Sequence, residues 1–234
     1  MSVVIPTYKE KNSILECITN FQAESFVDEI IVVNNNAEHG TSEEIAKTAA
    51  MEIFEDVQGY GAAIKKGLKV ASGGLVVICE PDGTFVPSDI NKLLPFTDEC
   101  SIVMGSRTVS TYIWDGANMG NFLKWGNWFV AKLIEVLFNT SYQSDVGCTL
   151  RVIDQAFIQK LNTYDLSNDG KYGLEMQLIA VITNTPLVQV PVNYRKRVGE
   201  SSYTGNFRGS LILGLKMIFR ILNWRVKKPN PECY

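Results

Sequence analysis

The chain has 234 residues, 46% of them hydrophobic and 20% charged, so it can bury a sizeable core and does not belong to the disordered class. Its formal net charge of −3 argues against a nucleic-acid-binding protein. The five cysteines are widely spaced, with no Cys-x-x-Cys pair, which argues against zinc and thioredoxin-type sites and favours a reducing cytoplasm.

Apolar runs and helical patterns alternate along the first hundred residues. Short apolar runs bounded by turn residues predict strands at 3–8, 29–33, 53–54, 75–79 and 101–105, with those at 29–33, 75–79 and 101–105 buried. Helical spacing and capping residues predict helices after Ser13, after Thr41 or Ser42, from 58 to about 71, and from 89 to 94. This alternation predicts an α/β fold with a mostly parallel central sheet and helices on both faces.

The strand at 75–79 leads directly into Glu80-Pro81-Asp82-Gly83. An open α/β sheet places its ligand at the carboxyl ends of its strands. Two carboxylates at that position suit Mg²⁺ or Mn²⁺ bound mainly through a substrate's phosphates. The alternative is that 81–83 form only a β-turn. The sequence contains neither a complete dinucleotide fingerprint nor a P-loop, so the phosphates must be held in another way.

Seven short segments, in chain order, carry a resemblance to a known family. They are 3–10, 29–41, 59–63, 80–82, 105–107, 145–151 and 190–201. Together, from residue 3 to about 205, they resemble family 2 glycosyltransferases, most closely the polyprenyl-phosphate (dolichyl-phosphate) hexose synthases. The resemblance implies the GT-A fold, that of nucleotide-diphospho-sugar transferases, for a catalytic domain at 1–205.

The resemblance also implies a reaction, the inverting transfer of a hexose from a UDP- or GDP-linked sugar. A divalent cation, Mg²⁺ or Mn²⁺, stabilises the departing diphosphate in such a reaction. Glu80-Pro81-Asp82 stands where the family has an Asp-x-Asp metal motif, so Asp82 is the expected catalytic metal ligand, and Glu80 is expected to contact the ion or the ribose. Glu80 and Asn34 each replace an Asp that is usual in the family. The substrate-binding residues implied are Pro6, Tyr8, Glu10, Asn34, Asn36, Gly59, Gly61, Glu80, Lys124, Arg151, Arg197 and Ser201.

Basic residues near strand ends are the expected phosphate ligands. Arg107 directly follows the strand at 101–105, where a guanidinium can pair bidentately with phosphate, and we expect it to be catalytic. Arg197 and Ser201 lie in a loop that we expect to close on the diphosphate. The alternative for both arginines is a solvated surface position.

The identity of the acceptor determines the role of Asp145. With a polyprenyl (dolichyl or undecaprenyl) phosphate, the acceptor oxygen is already an anion, and Arg151 or Lys124 could hold it without base catalysis. With a saccharide hydroxyl, as in polysaccharide or glycan assembly, a base is needed and Asp145 is the first candidate. Asp145 could instead be a helix cap or turn residue. The substitutions at Asn34 and Glu80 leave a third function open, a catalytically weak nucleotide-sugar binding module.

Two apolar helical patterns bear on membrane contact. In 121–138 we expect an apolar stripe to face the core. Its members are Phe122, Trp125, Phe129, Leu133, Val136 and Leu137. The stretch 207–228 has six basic residues and no acidic one, which predicts a basic amphipathic helix of the kind that binds an anionic membrane surface. The alternative is a helix packed on the catalytic domain. We therefore expect a cytoplasmic protein whose C-terminal helix, at 206–234, attaches peripherally to the inner face of the membrane.

Overall fold

The computed structural model describes residues 1–117, 119–199 and 207–231. Within these ranges, strands form a seven-stranded sheet in the order β3-β2-β1-β4-β6-β5-β7. The strands are β1 (Ser2–Thr7), β2 (Glu29–Asn34), β3 (Met51–Phe54), β4 (Leu75–Ile78), β5 (Ile102–Ser106), β6 (Arg151–Asp154) and β7 (Leu187–Pro191). All neighbouring pairs are parallel except those that β6 forms with β4 and β5. The predicted mostly parallel sheet is therefore confirmed.

Helices cover both faces of this sheet. They are α1 (Lys11–Gln22), α2 (Thr41–Ile45), α3 (Tyr60–Val70), α4 (Ile90–Leu93), α5 (Asn121–Phe138), α6 (Gln155–Leu161), α7 (Tyr172–Ile182) and α8 (Phe207–Val226). Because successive strand residues point to opposite faces, β1 places Val4 in the core with α3 and α5 to α8, and places Val3 and Ile5 in the core with α1, α2 and α4. These two cores explain why β1 is a continuous apolar run.

The reversed strand β6 brings its first residue to the edge of the sheet where its neighbours end. Arg151 is in register with Ile78 of β4 and with Met104 of β5. Because β6 is antiparallel to both, its amino end lies beside their carboxyl ends. Arg151 is thereby placed at the edge where parallel strands position ligands.

Predicted helix starts differ from the observed ones by up to three residues. The first helix starts at Lys11 rather than after Ser13, and the Ser13 hydroxyl donates a hydrogen bond to the Glu10 carbonyl. α3 starts at Tyr60, because Gly59 before it has a φ of 148°, a backbone conformation that favours glycine and is not helical.

The expectation that the apolar stripe of α5 faces the core is wrong for most of its members. α5 packs against α7 and α8, and its buried residues are Val130, Ala131 and Ile134. The helix therefore turns the stripe outward: Phe122, Trp125, Phe129 and Val136 are exposed, and Leu133 and Leu137 are half-buried.

The basic helix α8 packs on the rest of the chain through one side. Its Ile221 and Trp224 are buried in the same core as α3 and α5 to α7. The division into a catalytic domain at 1–205 and a separate helix at 206–234 stays a prediction. Among the described helices, none is long and apolar enough to cross a membrane.

Candidate functional site

A pocket of about 480 Å³ opens at the carboxyl ends of β1, β4 and β5. We call the charged side chains of the lining that follow these strands its charged end, and the lining residues that α5 and α8 contribute its apolar end. The apolar end includes Leu123, Val130, Leu213 and Met217. The lining of the pocket therefore combines charged and apolar side chains.

Asp82 lies in the charged end and is almost completely buried. Its Oδ1 accepts hydrogen bonds from the Thr84 backbone N–H at 3.0 Å and from the Thr84 hydroxyl at 2.6 Å. Its Oδ2 lies 2.7 Å from Nη1 of Arg197. The Thr84 contacts fix the orientation of the carboxylate, so that Oδ2 points toward the positively charged Arg197 guanidinium.

Arg197 lies among three carboxylates that come from two segments of the chain. Besides Asp82, its guanidinium lies 3.6 Å from Glu80 and 3.5 Å from Glu10. Its Nε is buried, with no hydrogen-bond partner among the described residues. The backbone N–H of Val198 donates to the Asp82 carbonyl at 2.8 Å, which holds the arginine's segment against the acidic turn. One positive group thus faces three negative ones.

The pKa of Glu80 reflects this excess of negative charge. Burial and the neighbouring Asp82 carboxylate raise the pKa of Glu80 to about 8, although Arg197 acts in the opposite direction. The described residues contain no cluster of three ligating side chains that could hold a metal ion unaided. Glu80 and Asp82 instead fit a divalent cation that completes its shell with phosphate oxygens and water.

Arg107 and Asp145 form a buried ion pair beside the acidic cluster, by which we mean Glu10, Glu80 and Asp82. Nε and Nη2 of Arg107 lie 2.9 and 3.0 Å from the two oxygens of Asp145, and the Arg107 backbone N–H donates to the same carboxylate at 2.9 Å. Burial alone would raise the pKa of Asp145, but the charge and hydrogen bonds of Arg107 lower it below its usual value. Arg107 lines the pocket, whereas Asp145 is fully buried behind it.

Arg151 also lines the pocket and is held by backbone carbonyls. Its Nε donates to the Cys148 carbonyl at 3.1 Å, and its Nη1 donates to the Gly173 carbonyl at 2.6 Å. Burial lowers its pKa from the usual arginine value. These contacts fix the guanidinium at the edge of the sheet.

The residues predicted from sequence divide into three groups. Those that line the pocket are Pro6, Tyr8, Glu10, Gly59, Glu80, Asp82, Arg107, Arg151 and Arg197. Those that lie outside its lining are Asn34, Asn36, Gly61, Lys124 and Asp145. Ser201 lies outside the described residues. The functional roles of all of them stay predictions.

Asn34 and Asn36 are engaged in holding their own loop. Asn34 accepts from the Ala37 backbone N–H at 2.8 Å and donates to Glu52 at 2.8 Å. Asn36 donates to Gln58 at 3.1 Å. Lys124, also outside the pocket lining, donates a hydrogen bond to the Ser110 hydroxyl. Gly61 packs so closely that a Cβ there would lie 2.3 Å from the Ser167 carbonyl oxygen.

Several pocket residues were missed by sequence reasoning. Asn35 lines the pocket between the two asparagines that were chosen, and its Oδ1 accepts from the Gly59 backbone N–H at 2.7 Å. Thr84, Tyr60 and Tyr194 also line it. The apolar end was missed because α5 and α8 carry no motif, although both have apolar positions on more than one side.

Comparison with known proteins identifies relatives along most of the chain. Residues 2–155 match the family described as glycosyl transferase family 2. The chain is 26% identical over 209 residues to the low-salt glycan biosynthesis hexosyltransferase Agl6 of Haloferax volcanii, a match that covers 86% of this chain and 49% of Agl6. It is 24% identical over 237 residues to the dolichyl-phosphate hexose transferase of the same organism, covering 97% of this chain and 96% of that protein. The chain therefore spans about half the length of Agl6.

Solved structures share the fold. The glucosyl-3-phosphoglycerate synthase of Mycobacterium tuberculosis, in complex with Mn²⁺, UDP and phosphoglyceric acid, has a TM-score of 0.70 at 15% identity, over 98% of this chain and 79% of that one. A second structure of that protein, with Mg²⁺ and UDP, has a TM-score of 0.71 at 14% identity, over 98% and 80%. At these identities the likeness shows the fold alone, and the expected fold class is confirmed.

Proposed function

Because the chain belongs to glycosyl transferase family 2, we propose that it is an inverting, metal-dependent hexosyltransferase that acts on a polyprenyl phosphate. The donor would be a UDP- or GDP-linked sugar. The observation that carries this proposal is that one pocket is lined both by charged side chains, such as Glu80 and Asp82, and by apolar side chains of α8, such as Leu213 and Met217. A polyprenyl phosphate has the same two parts, an anionic head and an apolar chain.

The charged end accounts for the donor. In this proposal Asp82 and Glu80 hold Mg²⁺ or Mn²⁺, which when bound stabilises the negative charge of the diphosphate leaving group. Arg107 lies beside them, oriented by its two bonds to Asp145, and is placed to pair with phosphate oxygens. Arg197 offsets part of the negative charge of the acids before the donor binds and can then pair with the diphosphate. Structural neighbours crystallised with Mn²⁺ or Mg²⁺ and UDP support this assignment.

The acceptor end favours a phosphate nucleophile. Asp145 was the first candidate for a base, but its carboxylate is buried and paired with Arg107. A phosphate oxygen is already an anion and needs no base, so we assign Asp145 a positioning role through Arg107. The acceptor oxygen forms a bond to the anomeric carbon from the side opposite the leaving group. The bond from that carbon to the diphosphate oxygen breaks, and the nucleoside diphosphate leaves with the electron pair.

A transfer assay tests the acceptor class. The full chain is incubated with Mn²⁺ and each of several UDP- and GDP-hexoses, with polyprenyl phosphate in one arm and an oligosaccharide in the other. We expect a lipid-linked hexose in the first arm only. Product in the oligosaccharide arm alone would support the saccharide-hydroxyl alternative. Nucleotide sugars that raise the melting temperature without product in either arm would support the binding module.

A further inference from the structure

Two neighbouring helices leave large apolar side chains in water. On α5, Trp125, Phe129 and Val136 are 61%, 57% and 79% exposed. On α8, Leu215, Phe219 and Val226 are 58%, 73% and 82% exposed. We call these six residues the α5–α8 surface. A water-facing helix normally places polar residues at such positions, so a patch of this kind marks a binding surface.

The two helices that carry these exposed residues lie side by side. α5 packs against α8, and both helices line the pocket with residues of their amino-terminal halves, such as Leu123 and Leu213. Near their other ends, the Arg225 guanidinium lies 6.0 Å from the Phe138 ring. The helices therefore run in the same direction, with the apolar end of the pocket between them.

α8 is apolar on two sides. Its inner side buries Ile221 and Trp224, while its outer side carries the exposed stripe. This is why the helix does not fit the alternative of a helix packed on the domain with only basic residues in water. The inner side is sufficient to hold α8 in place, which leaves the outer stripe available to a partner.

We propose that the α5–α8 surface docks on an anionic lipid membrane, with the pocket opening against the bilayer. Charge selects this partner: the chain is acidic overall, yet residues 207–228 contain six basic residues and no acidic one. Lys216, Arg225, Lys227 and Lys228 are exposed beside the apolar stripe. Trp125 and Trp128 form an edge-to-face pair on α5, and tryptophan favours the boundary between lipid and water.

A second copy of the chain fits this surface less well. Symmetric pairing would bring the basic residues of one α8 against those of the other, which repels at close range. Anionic lipid headgroups instead neutralise them. This inference extends the proposed function and rests on it, because a polyprenyl-phosphate acceptor requires a membrane. Vesicles without donor or acceptor test the inference separately.

Vesicle binding by the full chain is the first measurement. We expect it to co-sediment with vesicles that contain phosphatidylglycerol, and at least about tenfold less with phosphatidylcholine alone. Trp125→Ser/Phe219→Ser should weaken binding by about tenfold or more. The matched control is Phe54→Ser, which removes an aromatic residue that is 60% exposed on β3, outside both helices, and should change nothing.

Charge reversal separates the electrostatic part. Lys227→Glu/Lys228→Glu should lower binding to phosphatidylglycerol vesicles by about tenfold, whereas Lys66→Glu/Lys69→Glu, exposed on α3, should have little effect. Brominated lipids provide a second readout, whose control variant keeps an aromatic ring at both tryptophan positions. They should quench the tryptophan fluorescence of the unaltered chain, and the quenching should be lost in Trp125→Phe/Trp128→Phe.

Three outcomes would overturn the proposal. The first is no co-sedimentation and no quenching with any vesicle. The second is equal binding by the unaltered chain and by Trp125→Ser/Phe219→Ser. The third is an unaltered chain that dimerises without binding vesicles while that variant is monomeric, which would identify a second copy as the partner. If vesicle binding is intact but sugar transfer fails, the docking role of the α5–α8 surface would be retained and only the proposed acceptor would be rejected.

Discussion

At the scale of single residues, the two oxygens of the Asp82 carboxylate have different partners. Asp82 uses Oδ1 for the Thr84 hydrogen bonds and Oδ2 for Arg197. An asparagine can keep the first set through its carbonyl oxygen but loses the negative charge. Charge and local structure can therefore be separated by one substitution at this position.

Asp82→Asn should lower the rate of sugar transfer by about 10²- to 10³-fold, because stabilisation of the leaving diphosphate is lost. The fold should be kept, since an acceptor for the Thr84 bonds remains. Steady-state kinetics with Mn²⁺ measures the loss, and thermal unfolding checks the fold. Asp98→Asn, on the exposed surface, is the control. Full activity of Asp82→Asn would show that the metal assignment is incorrect.

The pKa of Glu80 gives a prediction of pH dependence in the metal-free protein. Its value of about 8 in the folded chain lies above the ordinary 4.5, so the folded state holds a proton that the unfolded state has lost. Its contribution to stability is fully present below pH 4.5 and is lost as pH rises through 8. Glu80→Gln cannot lose this proton.

The free energy of unfolding should therefore fall more steeply with pH in the unaltered chain than in Glu80→Gln, between about pH 5 and pH 8. Urea unfolding at several pH values measures both slopes. Glu99→Gln, at an exposed position, should keep the steeper slope. Identical slopes for Glu80→Gln and the unaltered chain would contradict a raised pKa.

Sequence patterns placed the acidic pair and Arg107 at strand ends, because apolar runs followed by polar residues mark the carboxyl edge of a sheet. They could not choose among Asn34, Asn35 and Asn36. Which of three adjacent side chains faces the pocket depends on contacts with the distant Glu52, Glu55 and Gln58. The pairing of Arg107 with Asp145 could not be predicted from a motif either, because the two residues are 38 positions apart in the chain.

At the scale of elements, α8 offers adjacent residues in opposite environments. Ile221 is fully buried, whereas Leu222 is exposed. Ile221→Ala should lower the free energy of unfolding by about 2–4 kcal/mol, because it leaves a cavity in the shared core. Leu222→Ala should change it by less than about 0.5 kcal/mol. Urea unfolding of both variants measures the difference. Equal effects would indicate that α8 is not part of the cooperative core.

Element order could be predicted over the first hundred residues, because strands and helices alternate there with different periodicities, whereas β6, α6 and α7 were not predicted. The orientation of α5 could not be predicted. Its sequence has apolar residues on several sides, so periodicity alone does not decide which side is buried. Contact with α7 and α8, which lie far along the chain, selects the side of Ala131 and Ile134. The reversed direction of β6 could not be predicted either. The direction of a strand is set by the connection that leads into it and not by the residues of the strand itself.

At the scale of the whole molecule, the pocket predicts a dependence on acceptor length. Met217→Asn, at the apolar end, should raise the KM for a long polyprenyl phosphate by about tenfold, since lost apolar contact weakens binding of the chain. The KM for a short, water-soluble prenyl phosphate should change little. Kinetics with both acceptors measures the contrast, and Met51→Asn on the exposed edge strand is the control. An equal rise for both acceptors would place the prenyl chain elsewhere.

The reversal of β6 has a consequence for how such a molecule could be altered. Around β1, β4 and β5 the ligand-side loops follow their strands, but at β6 the ligand-side segment, 139–150, precedes the strand. That stretch is bounded by α5 on one side and by the anchored Arg151 guanidinium on the other. A graft exchanged between these two fixed points would leave the loops that follow β1, β4 and β5 unchanged, but it would have to retain Asp145, because that carboxylate holds the Arg107 guanidinium across 38 positions of the chain.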